Sequence, residues 1–196
     1  MAVLSRRSEG SDARRATEEA LVGATLAWLG EGVAYADLSI EQIVKRAGLS
    51  RPTFYAYFRD KRALVLHLAV AFEEDLAAVA EPWLENAAGN VRDTLEGVLG
   101  VFQRHAATLG AVVEAATYDD EVAEFWRAFH GRFRPGAEAR VRAGTPDLDE
   151  ESVRARAFAL IYMTESSITA HVLRPSVGEH ELVAQLAFVW DAATAG

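Results

Sequence analysis

Residues 39–61 read SIEQIVKRAGLSRPTFYAYFRDK, and the spacing of their apolar, capping and glycine positions decides the fold. Ser39 with Gln42 three residues later has the form of a capping box, and Ile40, Ile43 and Val44 then fall on one helical stripe. Ala47-Gly48-Leu49 closes that helix, because Gly48 can take the left-handed conformation a sharp corner needs. Ser50 is a ready N-cap for a second, short helix, and Pro52 is tolerated in its first turn, where no intrahelical donor is lost. Asp60 caps a third, longer helix with Lys61 in its first turn. Helix, glycine corner, short helix is the outline of a helix-turn-helix, whose second helix enters a DNA major groove.

The residue types of the short helix fit that chemistry. Ser50, Arg51 and Thr53 crowd its N-terminal end, where hydroxyls and a guanidinium can meet base edges or phosphates. Phe54 and Phe58 face the other way as core, while Tyr55 and Tyr57 carry hydroxyls long enough to reach a phosphate. Lys61, beside free helix amides, completes a phosphate site. With Ser39 and Pro52, these residues form the expected DNA-contacting set. The same spacing also fits an ordinary helical hairpin whose aromatics are core and whose polar face is solvated.

The particular string separates the two. Gly48-Leu49-Ser50 followed by Thr53-Phe54-Tyr55-x-Tyr57-Phe58-x-x-Lys61 resembles the DNA-binding signature of the TetR family of bacterial repressors. The likeness has motif strength over the N-terminal third and continues more weakly to the C-terminus. It implies double-stranded operator DNA as partner.

Charge is divided along the chain. Residues 1–62 carry ten Lys/Arg and eight Asp/Glu, the remainder ten and twenty-one, for a net charge of −9. A basic patch confined to one end suits a molecule that touches DNA with that end only, and the acidic remainder limits non-specific binding. No stretch approaches the roughly 18 uninterrupted apolar residues of a membrane span, and the N-terminus lacks a secretory h-region. Without cysteine there is neither disulfide nor thiolate metal site. A cytoplasmic protein without membrane contact, metal or cofactor is expected.

Along the chain, residues 1–11 read as a disordered arm with Arg6 and Arg7 as its notable charges, more often a solvated tail than an arm reaching DNA, and Asp12 opens the first helix, which runs to about Gly30. The helix from Lys61 is expected to reach about Ala80, with Pro82 and residues 86–90 breaking it. Asn90, Asp119 and Asp149 begin later helices; Pro135-Gly136 kinks or ends one, and Arg174-Pro175 stops another. No strand pattern competes. The expectation is an all-α fold of about nine helices: residues 1–60 a three-helix helix-turn-helix DNA-binding domain, and 61–196 a helical ligand-binding and dimerisation domain.

The last two helices are apolar on most sides, from Ala159 to Ile168 and from Val183 to Trp190, which calls for burial on both faces. Family members pair through these helices, so the resemblance implies a homodimer reading an inverted-repeat operator, with heads roughly 34–36 Å apart or a multiple of that. Three further stretches, SRPTFYAYF, VAEFWRAF and Ala157 through Arg174-Pro175-Ser176-Val177 to Phe188-Val189-Trp190, resemble the ethionamide-resistance regulator branch of the family. That branch binds elongated apolar ligands in a tunnel through the body. On its pattern Leu95, Phe102, Phe133, Thr164 and Trp190 line the tunnel, whereas Leu95 and Phe133 stand for indoles and Ile161 and Thr164 for amides, implying a different ligand. Trp126, Phe129, Tyr162 and Glu165 join them as candidate contacts for a small apolar or amphipathic ligand.

The expected function is therefore a ligand-responsive transcriptional regulator, a repressor released from DNA by that ligand. The alternative is a helical dimer of the same shape that binds ligand or protein but no DNA. Catalysis is not expected: five scattered histidines form no HExxH pair, Ser166-Ser167 lacks a nucleophile elbow, and no phosphate-binding glycine loop occurs.

Overall fold

The computed structural model describes residues 2–86 and 90–194, with side chains from residue 12 onward except that of residue 86. Among the described residues there are nine helices and no strand: α1 (Ala2–Gly30), α2 (Ile40–Ala47), α3 (Arg51–Tyr55), α4 (Lys61–Asn86), α5 (Val91–Arg104), α6 (Ala106–Ala115), α7 (Asp120–Gly144), α8 (Glu150–Leu173) and α9 (Glu179–Thr194). The caps are those the sequence supplies. Ser39 Oγ accepts from the Gln42 amide at 3.2 Å while Gln42 Oε1 accepts from the Ser39 amide at 2.8 Å. The side chains of Asn90, Asp119 and Asp149 accept from first-turn amides of α5, α7 and α8, without the return bond. Gly48 closes α2 at φ 68°, and the Leu49 amide reaches back to the Val44 carbonyl at 2.9 Å. A side chain at Gly48 would be strained there, so the corner between α2 and α3 depends on glycine.

Three stretches differ from expectation. α1 begins at Ala2 rather than Asp12, for residues 2–11 contain no proline and several good helix formers, and Gly10 costs only about 1 kcal/mol within a helix. Met1 and the side chains of Arg6 and Arg7 lie outside the described residues, and so does the expected break at 87–89. α4 does not end near Ala80 but passes through Pro82 to Asn86. Pro82 faces solvent, where the unpaired carbonyl one turn earlier can be hydrated, and Trp83 and Leu84 are buried just beyond it. α7 likewise continues through the exposed Pro135 to Gly144.

Apolar contacts gather in three clusters. Leu21, Leu38, Ile43, Val44, Phe54, Phe58 and Leu64 join α1, α2, α3 and the start of α4. Phe54 and Ile43 are fully enclosed, and each such side chain contributes about 1.5–3 kcal/mol on burial. A larger cluster, centred on Phe72, Phe102, Phe129 and Ile168, fills the space among α4, α5, α7, α8 and α9. Tyr35 belongs to a third cluster with Val65, Val112, Ala115 and Val122, bridging the α1–α2 connection to α6 and α7.

α4 runs through all three clusters and is gripped closely. A Cβ at Gly97 of α5 would come within 2.8 Å of Val79, and one at Gly136 of α7 within 2.9 Å of Leu84. Both glycines thus permit an approach that alanine would push apart. Among the described residues no helix is long and apolar enough to cross a membrane.

Candidate DNA-reading tip and interior cavity

The tip is built on Ser50. Its Oγ accepts from the Thr53 amide at 3.3 Å and lies 2.8 Å from the Thr53 hydroxyl, which orients the first turn of α3. Phe54 is buried below, with Phe58 at 5.8 Å between ring centroids. The opposite face presents Arg51, Pro52 and Tyr55 to solvent; the Arg51 guanidinium donates to the Tyr55 hydroxyl at 3.4 Å, a weak contact that a DNA acceptor could replace. Tyr57 is half-buried under Arg14 of α1, whose guanidinium lies 5.5 Å from the ring centroid. Arg14 was not among the expected contact residues; the fold brings it to the tip by laying α1 beside Tyr57, just past the end of α3.

Two of the expected contact residues spend their polar groups on the chain itself. Ser39 spends its side chain and amide on the capping box with Gln42. Lys61 directs its ammonium at the α1–α2 connection, donating to the carbonyls of Tyr35 at 2.5 Å, Leu38 at 2.9 Å and Ala36 at 3.2 Å, and lies 4.3 Å from the Tyr35 ring centroid. All three ammonium donors are therefore occupied. Burial pushes the Lys61 amine down from its ordinary range, with Glu114 and Asp37 opposing, and burial likewise pushes the Tyr35 phenol up.

The same connection is held from the body. The Glu114 carboxylate of α6 accepts from the Tyr35 amide at 2.9 Å and the Ala36 amide at 2.8 Å. Beside it, Arg59 donates to both oxygens of Glu121 at 3.0 Å, and Arg62 pairs with Glu121 and with Asp119 at 3.1 Å. The start of α7 is thus tied to the start of α4 by charge.

The cavity lies among α4, α5, α7, α8 and α9 and measures about 70 Å³. Leu95, Phe102, Phe129, Phe133, Thr164, Glu165 and Trp190 come together in its wall. Trp126 and Tyr162 do not. Trp126 stacks behind Phe129 at 4.9 Å, and Tyr162 lies against His130 at 4.2 Å, on the outer side of α8 beside the exposed Phe158. The α4 side of the wall, Leu76, Ala80, Trp83 and Leu84, was missed. Reading Pro82 as the end of α4 hid the continuation of that apolar face; its signal was the Trp83-Leu84 pair one turn after Leu76-Ala80.

The polar groups of the wall are few. The Trp190 indole donates to Thr164 Oγ1 at 2.8 Å. Glu165 is nearly enclosed: His130 Nε2 lies 3.2 Å from its carboxylate, and Thr169 and Ser166 hydroxyls donate to it at 2.6 and 3.1 Å. Burial by itself would raise its pKa, but these hydrogen bonds and the imidazole outweigh burial and hold it below the ordinary carboxylate value. His130 Nδ1 faces the Trp126 carbonyl at 2.8 Å and so carries a proton.

A helix-turn-helix head on a helical body with an internal cavity defines a class, and comparison with known proteins gives the family. Residues 31–68 match the profile described as "Bacterial regulatory proteins, tetR family". The chain is 30% identical over 201 residues to the "HTH-type transcriptional regulator EthR" of Mycolicibacterium smegmatis, covering 95% of this chain and 88% of that one. It is also 30% identical over 184 residues to the protein of the same name from Mycobacterium tuberculosis H37Rv, covering 88% and 84%. The chain belongs to the TetR family, is of the EthR type, and is a DNA-binding transcriptional regulator rather than an enzyme. Solved structures agree in fold: a transcriptional regulator from Rhodococcus sp. Rha1 superposes with TM-score 0.69 at 19% identity over 90% of this chain and 95% of that one. A putative TetR-family regulator from Syntrophomonas wolfei gives TM-score 0.69 at 17% identity over 90% and 94%.

Proposed function

We propose that this regulator is a repressor that binds an inverted-repeat operator as a homodimer and leaves it when a small apolar ligand occupies the cavity. In this reading residues 1–60 are the DNA-binding domain and 61–196 the ligand-binding and dimerisation domain. Arg51 and Thr53 read bases, and Tyr55, Tyr57 and Arg14 hold phosphates. Lys61 shapes the tip from behind instead of touching DNA.

Dimerisation through α8 and α9 is favoured by what those helices leave uncovered. α8 packs chiefly on α7, and α9 chiefly on α5, so each keeps an outer face. Phe158 and Phe188 remain 52% and 67% exposed there, beside Val189. Apolar side chains of that size on two adjacent helices are suited to burial against a second copy.

The observation that carries the ligand reading is the cavity size. At about 70 Å³ it is far below the roughly 300–1,000 Å³ of drug-sized sites, so a ligand must displace α4 or its neighbours to enter. α4 also begins at the tip. A ligand that favours the displaced arrangement draws the dimer toward head spacings unsuited to the operator, by the typical 1–3 kcal/mol of coupling, roughly 5- to 150-fold in affinity.

The test uses the intergenic DNA beside the gene. Mobility shift should give a complex with an inverted repeat that weakens steeply between about 50 and about 200 mM salt. Phe188→Arg should yield monomers by sedimentation and lose the complex. A dimeric Phe188→Arg variant would remove α9 from the interface, and a complex that ignores every cavity-binding compound would remove the ligand response.

A further inference from the structure

A second concavity shares Trp83 with the interior cavity but is a separate site. The end of α4, the start of α5, α7 and α9 enclose an open cleft of about 470 Å³. That size falls within the roughly 300–1,000 Å³ of small-molecule sites, as the cavity's 70 Å³ does not. Trp83, Ala184, Ala187 and Phe188 give the cleft an apolar wall, and Arg92 and Arg140 supply cationic groups. Of the apolar side chains offered for dimer contact, Phe188 borders the cleft, whereas Phe158 and Val189 do not.

The arginines of the cleft differ from their neighbours. On α7, Arg127, Arg132, Arg134 and Arg142 each pair with a carboxylate. Arg140 pairs with none among the described residues and lies instead over the Trp83 ring, 4.2 Å from its centroid. Stacking of this kind fixes the guanidinium plane and leaves its edge donors available. Arg92, in the first turn of α5, has no carboxylate partner among the described residues either. Asp191 is the one carboxylate among the described residues of the wall, and it pairs with neither arginine. Two cations therefore face one anion, with the positive end of the α5 dipole beside them at Val91. We infer that the cleft binds a monoanionic amphiphile, its carboxylate taken by Arg92 and Arg140 and its apolar body lying against Trp83 and Phe188. One negative charge balances the excess. A phosphate dianion would add repulsion from Asp191, and a neutral molecule would leave both guanidiniums without a charged acceptor. The inference is independent of the interior cavity and of what it binds.

Three probes separate charge from apolar contact on the full-length protein: 2-naphthoate, its neutral isostere 2-naphthamide, and inorganic phosphate. Calorimetry should find 2-naphthoate bound once per chain, with the amide and phosphate at least roughly tenfold weaker. Arg92→Gln and Arg140→Gln should each weaken 2-naphthoate on the order of tenfold while leaving 2-naphthamide within about twofold. Ala184→Phe fills the cleft and should abolish binding of both. Should Arg140→Gln fold poorly once its guanidinium leaves Trp83, Arg92→Gln and Ala184→Phe decide the matter. Binding of 2-naphthoate that survives Ala184→Phe, or that ignores Arg92→Gln, would place the molecule elsewhere and overturn the inference. Equal affinity for the amide, tighter binding of phosphate, or no binding of 2-naphthoate at millimolar concentration would overturn it as well.

Discussion

The Lys61 ammonium lies 4.3 Å from the centroid of the Tyr35 ring and donates at 2.5 Å to the Tyr35 carbonyl. Two elements distant in sequence, the α1–α2 connection and the first turn of α4, are thereby joined. Lys61→Ala should cost about 1.5–3 kcal/mol in denaturant unfolding, since three charge-assisted hydrogen bonds are removed from a half-buried site. Operator affinity should fall with it, but the slope of log affinity against log salt should not change. A slope shallower by about 1 would mean that Lys61 touches phosphate after all.

Arg51 behaves differently because nothing but Tyr55 restrains it. Arg51→Ala should leave thermal stability unaltered and reduce preference for the cognate operator over unrelated DNA on the order of ten- to a hundredfold. Competition mobility shifts measure the ratio. Parallel losses on both DNAs would assign Arg51 to the backbone.

Thr164→Val keeps the shape of the wall and removes the acceptor of the Trp190 indole. An unsatisfied buried N–H costs about 1–3 kcal/mol, so unfolding should shift by that amount; Thr164→Ser should restore it. A neutral Thr164→Val would indicate that Trp190 finds another partner.

Glu165 gives a pH dependence of definite sign. Its folded pKa is lowered relative to the ordinary value of 4.5, so its contribution to stability is complete above that value and disappears as pH falls through the folded pKa. Unfolding midpoints from pH 7 to pH 3 should therefore decline more steeply in the wild type than in Glu165→Gln. Parallel curves would show that the carboxylate gains nothing from His130 and its hydroxyl partners.

The charge tie at the start of α7 should restrain the head. Because the chain has no cysteine, a spin label at Lys45→Cys is unique in each protomer. In the dimer, Glu121→Gln should broaden the label-to-label distance distribution, as Arg59 and Arg62 lose their shared carboxylate. An unchanged distribution would place the restraint in the Tyr35 cluster and Glu114 instead.

Much of this arrangement is readable in the residues, and the parts that are not share a cause. Caps are local: Ser39, Asn90, Asp119 and Asp149 bond three residues ahead, and their helices start where the spacing puts them. So is the Gly48 corner. Lys61 is not local, because its acceptors lie 23 to 26 residues away and depend on how the α1–α2 connection turns. Pro82 misleads because the burial of Trp83 and Leu84, a tertiary effect, overrides a propensity. Trp126 and Tyr162 show the limit of composition: both are aromatic residues in the right helices, but one sits a layer behind the cavity and the other outside it.

The bare contacts of Gly97 on Val79 and of Gly136 on Leu84 leave the far part of α4 without slack. From Trp83 back to Lys61 a straight helix extends about 33 Å. Pivoted on those glycines, such a rod acts as a lever arm: a swing of about 5° carries its near end about 3 Å, close to the rise of one base pair. A molecule no larger than a few methylene groups, wedged at Trp83, could then put the two reading helices out of step with the groove, and an alanine at either glycine would mimic the wedge with no molecule bound.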